Sequence, residues 1–282
     1  MNSEAADQIK PGRRIDIPSV PNLRDIGGYA TAGGGRVRTG QLYRSVELDH
    51  LGGEDLDSFA RLGIRTIYDL RTEAERQAQP DVVPEGVEQV HCDVLKDSPG
   101  AGPAQLMKVL SDPSEAEQML GGGKSLKLFE TGYREIVSLP SALNAYRAFF
   151  TGIAQDERRP ALFHCTTGKD RTGWAAAATL LLLGVSEDDV LYDYGLTNRD
   201  LLPALKPIFE QFRAAGGDPE LIHPVVGVDP AYLLTALDEM KRRFGSVEGY
   251  FADGLGIDEK SQQALRDGLT VLPPSRRPAE SP

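Results

Sequence analysis

The chain has 282 residues, 40% of them apolar and 26% charged, enough to bury a sizeable core, and disorder as its main state is excluded. A formal charge of −11, from 31 basic against 42 acidic side chains, disfavours long-range capture of nucleic acid or an anionic membrane surface, so no nucleic-acid partner is expected. Two cysteines, Cys92 and Cys165, exclude a disulfide framework, and no run approaches the ~20 apolar residues of a membrane helix, so no stable membrane insertion is expected.

Residues 1–14 are polar and aperiodic and read as a frayed tail. They lack an apolar stretch followed by a small-residue cleavage site, which makes the cytoplasm the default compartment, with export by a route lacking a cleavable signal as the alternative. A helical pattern over 54–62 stops at Gly63 and leads into a strand over 64–70. A second strand is expected over 87–94, with Cys92 as a buried strand cysteine, and a helix over 133–154. The short apolar run 160–164 reads as a buried parallel strand, and the Ala/Leu-rich run 172–183, ended by Gly184, as the helix after it. Such alternation predicts an α/β fold with a central, mostly parallel sheet flanked by helices. From Ser186 the patterns are helical only, at 189–197, 201–215, 230–244, 247–253 and 258–269, a lobe expected to pack beside the sheet or over its ligand-binding edge. The proline-rich residues 273–282 read as a second frayed tail.

Phe163-His164-Cys165-Thr166-Thr167-Gly168-Lys169-Asp170-Arg171-Thr172-Gly173 lies between the strand 160–164 and the helix 172–183. A loop with glycine at its middle can turn its backbone N–H groups inward, and the helix that follows offers unpaired N–H donors and the positive end of its dipole. The backbone of Thr166, Thr167, Gly168, Lys169 and Thr172 is therefore expected to hold a phosphate dianion, with Arg171 forking across two of its oxygens. Donors aimed at the loop centre also favour a thiolate at Cys165, the expected nucleophile for attack on phosphorus. Thr172 is placed to assist sulfur as a leaving group, and His164 to orient the loop through its ring nitrogens. Neither a metal nor a cofactor is called for.

These residues resemble the active-site loop of the cysteine-dependent protein tyrosine phosphatases, and the Gly-Lys-Asp-Arg-Thr-Gly wording resembles their bacterial and fungal branch. Asn22-Leu23-Arg24-Asp25-Ile26-Gly27-Gly28-Tyr29, Leu42-Tyr43-Arg44-Ser45, Asp69-Leu70-Arg71, Asp193-Tyr194-Gly195-Leu196-Thr197-Asn198 and a Phe-Gly-Ser-Val-Glu-Gly-Tyr run ending at residue 250 look like that branch's other stretches. The resemblance implies a single phosphatase domain over 15–270, with its α/β sheet portion at 15–185 and a helical lid portion at 186–270. It also implies hydrolysis of phosphotyrosine on proteins, with phosphoserine, phosphothreonine or phosphoinositides taken by some members. Lys169 would add a second cation beside Arg171, which makes a phosphoinositide substrate the alternative. A catalytically silent phosphate-binding module or thiol-redox sensor is a third reading, which the intact Cys, Asp and Arg set disfavours. Nothing in the sequence speaks to oligomeric state.

The leaving oxygen needs a proton, hence a carboxylic acid at the loop mouth. Asp170 matches the family position for that role, against the alternative of a brace paired with Arg44 or Arg71. Asp69 ends a predicted parallel strand, where such sheets bind ligands, against the alternative of a residue that orients Arg71. The sequence leaves both open. Residues 22–29 read as a tight turn beneath the active loop, with Arg24 and Asp25 as bracing ions.

Overall fold

The computed structural model describes residues 10–98, 109–110 and 112–272; of the tails expected at 1–14 and 273–282, residues 1–9 and 273–282 lie outside the described residues. Residues 12–14 are not frayed: the Gly12 amide donates to Gly27 O at 3.3 Å, the Asp25 amide donates to Arg13 O at 3.0 Å, and Arg14 forms a β-bridge with Arg24. In chain order the elements are β1 (Arg24–Asp25), β2 (Arg36–Val37), β3 (Leu42–Ser45), α1 (Gly53–Ala60), β4 (Thr66–Asp69), α2 (Glu73–Ala78) and β5 (Glu88–His91). There follow α3 (Pro113–Leu120), α4 (Lys124–Ser138), α5 (Pro140–Ile153), β6 (Ala161–His164), α6 (Arg171–Leu182), α7 (Glu187–Leu201), α8 (Lys206–Ala214) and α9 (Pro219–Val226). The chain closes with α10 (Pro230–Phe244), α11 (Val247–Gly249), a π turn at Tyr250–Gly254, α12 (Glu259–Leu269) and β7 (Thr270–Val271).

The main sheet has the order β1-β3-β6-β4-β5. It is parallel except for β1, which runs antiparallel to β3. All four residues of β6 are buried, as a strand between two parallel neighbours with helices on both faces must be. Register sets Ser45 and Asp69 beside His164, so the C-terminal ends of β3, β4 and β6 release their loops at one place. That edge is where open α/β sheets bind ligands.

Helix α6 starts at that edge. Its residues Ala175, Ala176, Ala177 and Ala178 are all buried, and such small side chains let a helix sit deep inside the protein. One core cluster joins it to Phe149 and Phe163 on one side and to Tyr232, Leu237 and Phe251 on the other, so the helical C-terminal portion shares its core with the sheet. A second cluster, with Val20, Leu23, Phe59, Ile67 and Leu162, also takes in sheet residues. A third, including Ala116, Leu120, Phe212, Ile222 and Val225, joins α3, α8 and α9.

Three differences from the sequence-based expectations have physical causes. The helix expected over 133–154 is two helices, because Leu139 precedes Pro140 and is extended at ψ 144°, the conformation a residue before proline favours. β1, β3 and the small β2–β7 sheet were not predicted; they are two- to four-residue strands too short to carry a periodic signal, and β7 is a strand in the portion expected to be wholly helical. The helical cover is also not confined to residues after 185, since α3 and α4 pack with α9 and α10.

Candidate active site

Residues 165–170 form the loop between β6 and α6. Its carbonyls are tied down one after another. His164 Nδ1 lies 3.2 Å from the Cys165 carbonyl, the Glu47 amide donates to Thr166 O at 3.2 Å, and Asn22 Nδ2 donates to Thr167 O and Gly168 O at 3.2 and 3.1 Å. Arg44 Nη2 adds a 2.9 Å bond to Gly168 O. With four successive carbonyls held by the scaffold, the amides of residues 166–170 donate to no protein acceptor among the described residues. They lie at the N-terminus of α6, where backbone donors favour a negative charge. Gly168 makes the turn possible: its φ is +66°, and a Cβ there would stand 2.2 Å from Ser45 O.

Cys165 is 1% exposed at the start of this loop. Arg171, at the other end, is clamped by Glu75, with Nη1 to Oε2 and Nη2 to Oε1 both at 2.7 Å. Burial pulls the guanidinium pKa down, but the neighbouring Cys165 and Glu75 charges raise it above its ordinary value. A weaker 3.4 Å bond runs to Leu70 O, which leaves Nε–H and the second Nη2 hydrogen of Arg171 without an acceptor among the described residues. Glu75 also accepts from Thr166 Oγ1 at 2.6 Å and from the Thr72 amide at 2.8 Å. Burial would raise its carboxyl, yet Arg171 and these donors hold it well below the usual carboxylate range. Glu75 was not among the sequence-predicted site residues. Its one readable signal was the Thr72-x-x-Glu75 capping box that opens α2.

Asp69 is buried at the end of β4, with Oδ1 2.9 Å from Arg71 Nε and Oδ2 2.8 Å from Arg71 Nη2. This geometry corresponds to the orienting alternative for Asp69. Arg71 Nη2 also stands 2.7 Å from Asp81 Oδ2, and Nη1 2.8 Å from Glu47 Oε2. His164 Nε2 lies 3.3 Å from Asp81 Oδ2, and because the Cys165 carbonyl can only accept, both ring nitrogens face acceptors. Burial opposes protonation, but Asp81 and Asp69 prevail and the imidazole pKa is raised. Asp69, Asp81 and His164 lie close enough together to hold a metal ion, but the Arg71 guanidinium already takes up the two carboxylates.

Arg24 and Arg44 are both buried, and both pair with Asp193 of α7, at 3.3 and 2.9 Å. Burial and the nearby Arg24 charge lower the Arg44 pKa to about 10 against the pull of Asp193. Arg24 thus braces the loop through Asn22 and Asp193. Asp25, expected beside it as a second brace, instead accepts from the Gly27 and Gly40 amides at 2.8 and 2.7 Å and shapes the turn.

Above the loop opens a cavity of about 450 Å³ lined by Leu95, Leu128, Phe129, Tyr133 and Ile136, with Ser98, Thr131 and Glu135 as polar walls and Asp170 and Arg171 at its base. Asp170 pairs with neither Arg44 nor Arg71: Oδ1 accepts from Tyr133 Oη at 2.6 Å and lies 3.2 Å from Lys169 Nζ. Lys169 does not line the cavity. Its ammonium donates to Gly227 O at 3.0 Å and lies 4.7 Å from the centre of the Phe129 ring. The Thr172 hydroxyl is buried with no hydrogen-bond partner among the described residues. Burial pushes the Cys92 thiol up to about 12.

The loop from Cys165 to Arg171 thus sits at the carboxyl edge of a mostly parallel sheet, the edge at which such folds bind ligands, and its residue order is that of the cysteine-dependent phosphatases. The chain belongs to the tyrosine phosphatase family, whose model matches residues 15–271, and it is a protein tyrosine phosphatase. It is 30% identical over 257 residues to a putative tyrosine-protein phosphatase of Cupriavidus necator, covering 90% of this chain and 88% of that one. It is likewise 30% identical over 280 residues to the triple specificity protein phosphatase PtpB of Mycobacterium tuberculosis, covering 90% and 98%. A tyrosine-protein phosphatase of Nostoc commune is 26% identical over 229 residues, covering 79% and 72%. Among the described residues no helix is long and apolar enough to cross a membrane.

Proposed function

We propose that residues 15–270 act as one phosphatase domain that hydrolyses phosphotyrosine on proteins, with Cys165 as nucleophile, Arg171 as transition-state clamp and Asp170 as acid. The Cys165 thiolate attacks phosphorus while the P–O bond to tyrosine breaks, and Asp170 gives its proton to the departing phenoxide. Water then attacks the cysteinyl-phosphate, Asp170 takes the water proton, and the S–P bond breaks to return the thiolate and release phosphate. The equatorial oxygens stay against the amides of residues 166–170 and Arg171 throughout. Thr172 serves the sulfur in the second step, where its unpartnered hydroxyl has no competing bond. His164 acts by holding the loop.

The observation that carries this reading is the ring of amides 166–170 left without protein acceptors, next to an Arg171 held in place by Glu75. The apolar walls above suit an aromatic ring over a bare alkyl phosphate. Phosphoserine and inositol lipids remain the competing substrates, the relative from Mycobacterium tuberculosis being named for triple specificity. Two free cysteines favour a reducing, cytoplasmic setting for the reaction. The test is phosphate release from phosphotyrosine peptides, phosphoserine peptides and inositol lipids by the wild type and Cys165→Ser. The variant is expected to bind phosphotyrosine peptide and release nothing, since a serine hydroxyl is not ionised; substantial turnover would refute the covalent route.

A further inference from the structure

Asp170 has two oxygens, and the protein treats them differently. Oδ1 receives the Tyr133 hydroxyl at 2.6 Å and the Lys169 ammonium at 3.2 Å, whereas Oδ2 has no protein partner among the described residues. Behind Tyr133 stands Tyr194, with the two phenol oxygens 2.5 Å apart. Both tyrosines are 1% exposed, so no bulk water competes for these bonds. Burial, together with the charge of Asp170, lifts both phenol pKa values well above the ordinary value, which keeps both hydroxyls protonated.

Resting on the proposed role of Asp170, we propose that Tyr133 is the positioning residue of the acid: its hydroxyl occupies Oδ1, so that the proton to be transferred resides on Oδ2. An ammonium can only donate, and Tyr133, given a proton by Tyr194, donates its own to Oδ1. Oδ1 is then an acceptor whether Asp170 is ionised or neutral, and the acidic hydrogen has one place left. Tyr133 belongs to α4, while Asp170 belongs to the loop and Tyr194 to α7. The acid is thereby built into the phosphate loop but aimed from the helical cover, and its orientation depends on α4 being seated.

The discriminating measurement is kcat/KM against leaving-group acidity, for the wild type, Tyr133→Phe, Tyr194→Phe and Asp170→Asn. An aryl phosphate with a strongly acidic phenol, such as 4-nitrophenyl phosphate, needs little help from an acid, while phosphotyrosine needs much. For Tyr133→Phe we expect a change within about twofold on 4-nitrophenyl phosphate and a loss of about tenfold or more on phosphotyrosine, a part of the roughly 10²–10⁴-fold that a general acid contributes. Tyr194→Phe should follow the same trend with a smaller loss. A Tyr133→Phe variant that loses equally on both substrates, or on neither, overturns the inference, because a packing defect would not track the leaving group. If Asp170→Asn itself shows no steepening, the assignment of the acid falls and the role of Tyr133 with it. A steep Asp170→Asn beside a flat Tyr133→Phe removes Tyr133 alone.

Discussion

The floor of the pocket is held by buried charge, and its cover more by rings than by charge. Beneath the loop, Arg24, Arg44, Arg71, Asp69 and Asp193 are all buried and interlocked by ion pairs such as Arg44–Asp193 at 2.9 Å and Arg71–Asp69 at 2.8 Å. Above it, α4 and α10 meet largely through rings, with Phe129 stacked on Tyr232 at a centroid distance of 4.5 Å and Tyr133 5.7 Å from the same ring, beside the pairs of Arg134 with Asp238 and Glu239 at 3.1 and 3.2 Å. Buried charges tolerate little displacement, since each one that loses its partner is left uncompensated. Ring contacts are worth about 0.5–1.5 kcal/mol beyond the area they bury and can be exchanged for others. The floor is thus less tolerant of displacement than the cover.

The comparison is broken most severely at Asp193. Asp193→Ala strands two buried guanidiniums, and a loss of roughly 3–5 kcal/mol is expected, read as a lower urea midpoint. A midpoint close to wild type would mean that the floor is not held by charge. Glu75→Gln should lower kcat by about a hundredfold with KM changed far less, because Arg171 loses its fixed orientation. Glu75 is depressed in the fold, so its contribution to stability is present above its ordinary pKa of about 4.5 and lost as pH falls through the lower folded value. Acid unfolding of Glu75→Gln should accordingly be less pH-dependent than that of the wild type. Phe129→Ala, on the cover, should raise KM for phosphotyrosine peptide about two- to tenfold and leave kcat nearly unchanged. A collapse of kcat in that variant would show that the cover is as rigid as the floor.

The loop itself was legible because its chemistry is local: cysteine, glycine and arginine at fixed spacing between a buried strand and a helix. The parallel strands β4, β5 and β6 and helices such as α6 and α10 were legible from the sequence, whereas α4 was read only from residue 133 and as one helix with α5. What lay outside the pattern depends on pairing between distant segments. Glu75 reaches Arg171 across 96 residues, and Tyr133 reaches Asp170 across 37. Neither contact has a periodic or compositional trace. Lys169 illustrates the same point from the other direction: beside Arg171 in the chain, it reads as a second cation for substrate, yet its ammonium is taken up by Gly227 O and the Phe129 ring. For Asp69 and Asp170, the residue types alone left two candidate acids, and only the location of Arg71 separates their surroundings.

The tethered carbonyls of residues 165–168 carry one more implication. Because Asn22, Arg44, Glu47 and His164 supply these contacts, the four carbonyls take their positions from the scaffold and not from a ligand. An empty enzyme of this kind should welcome any tetrahedral or trigonal-bipyramidal oxyanion of the right size, vanadate included, as readily as its own product.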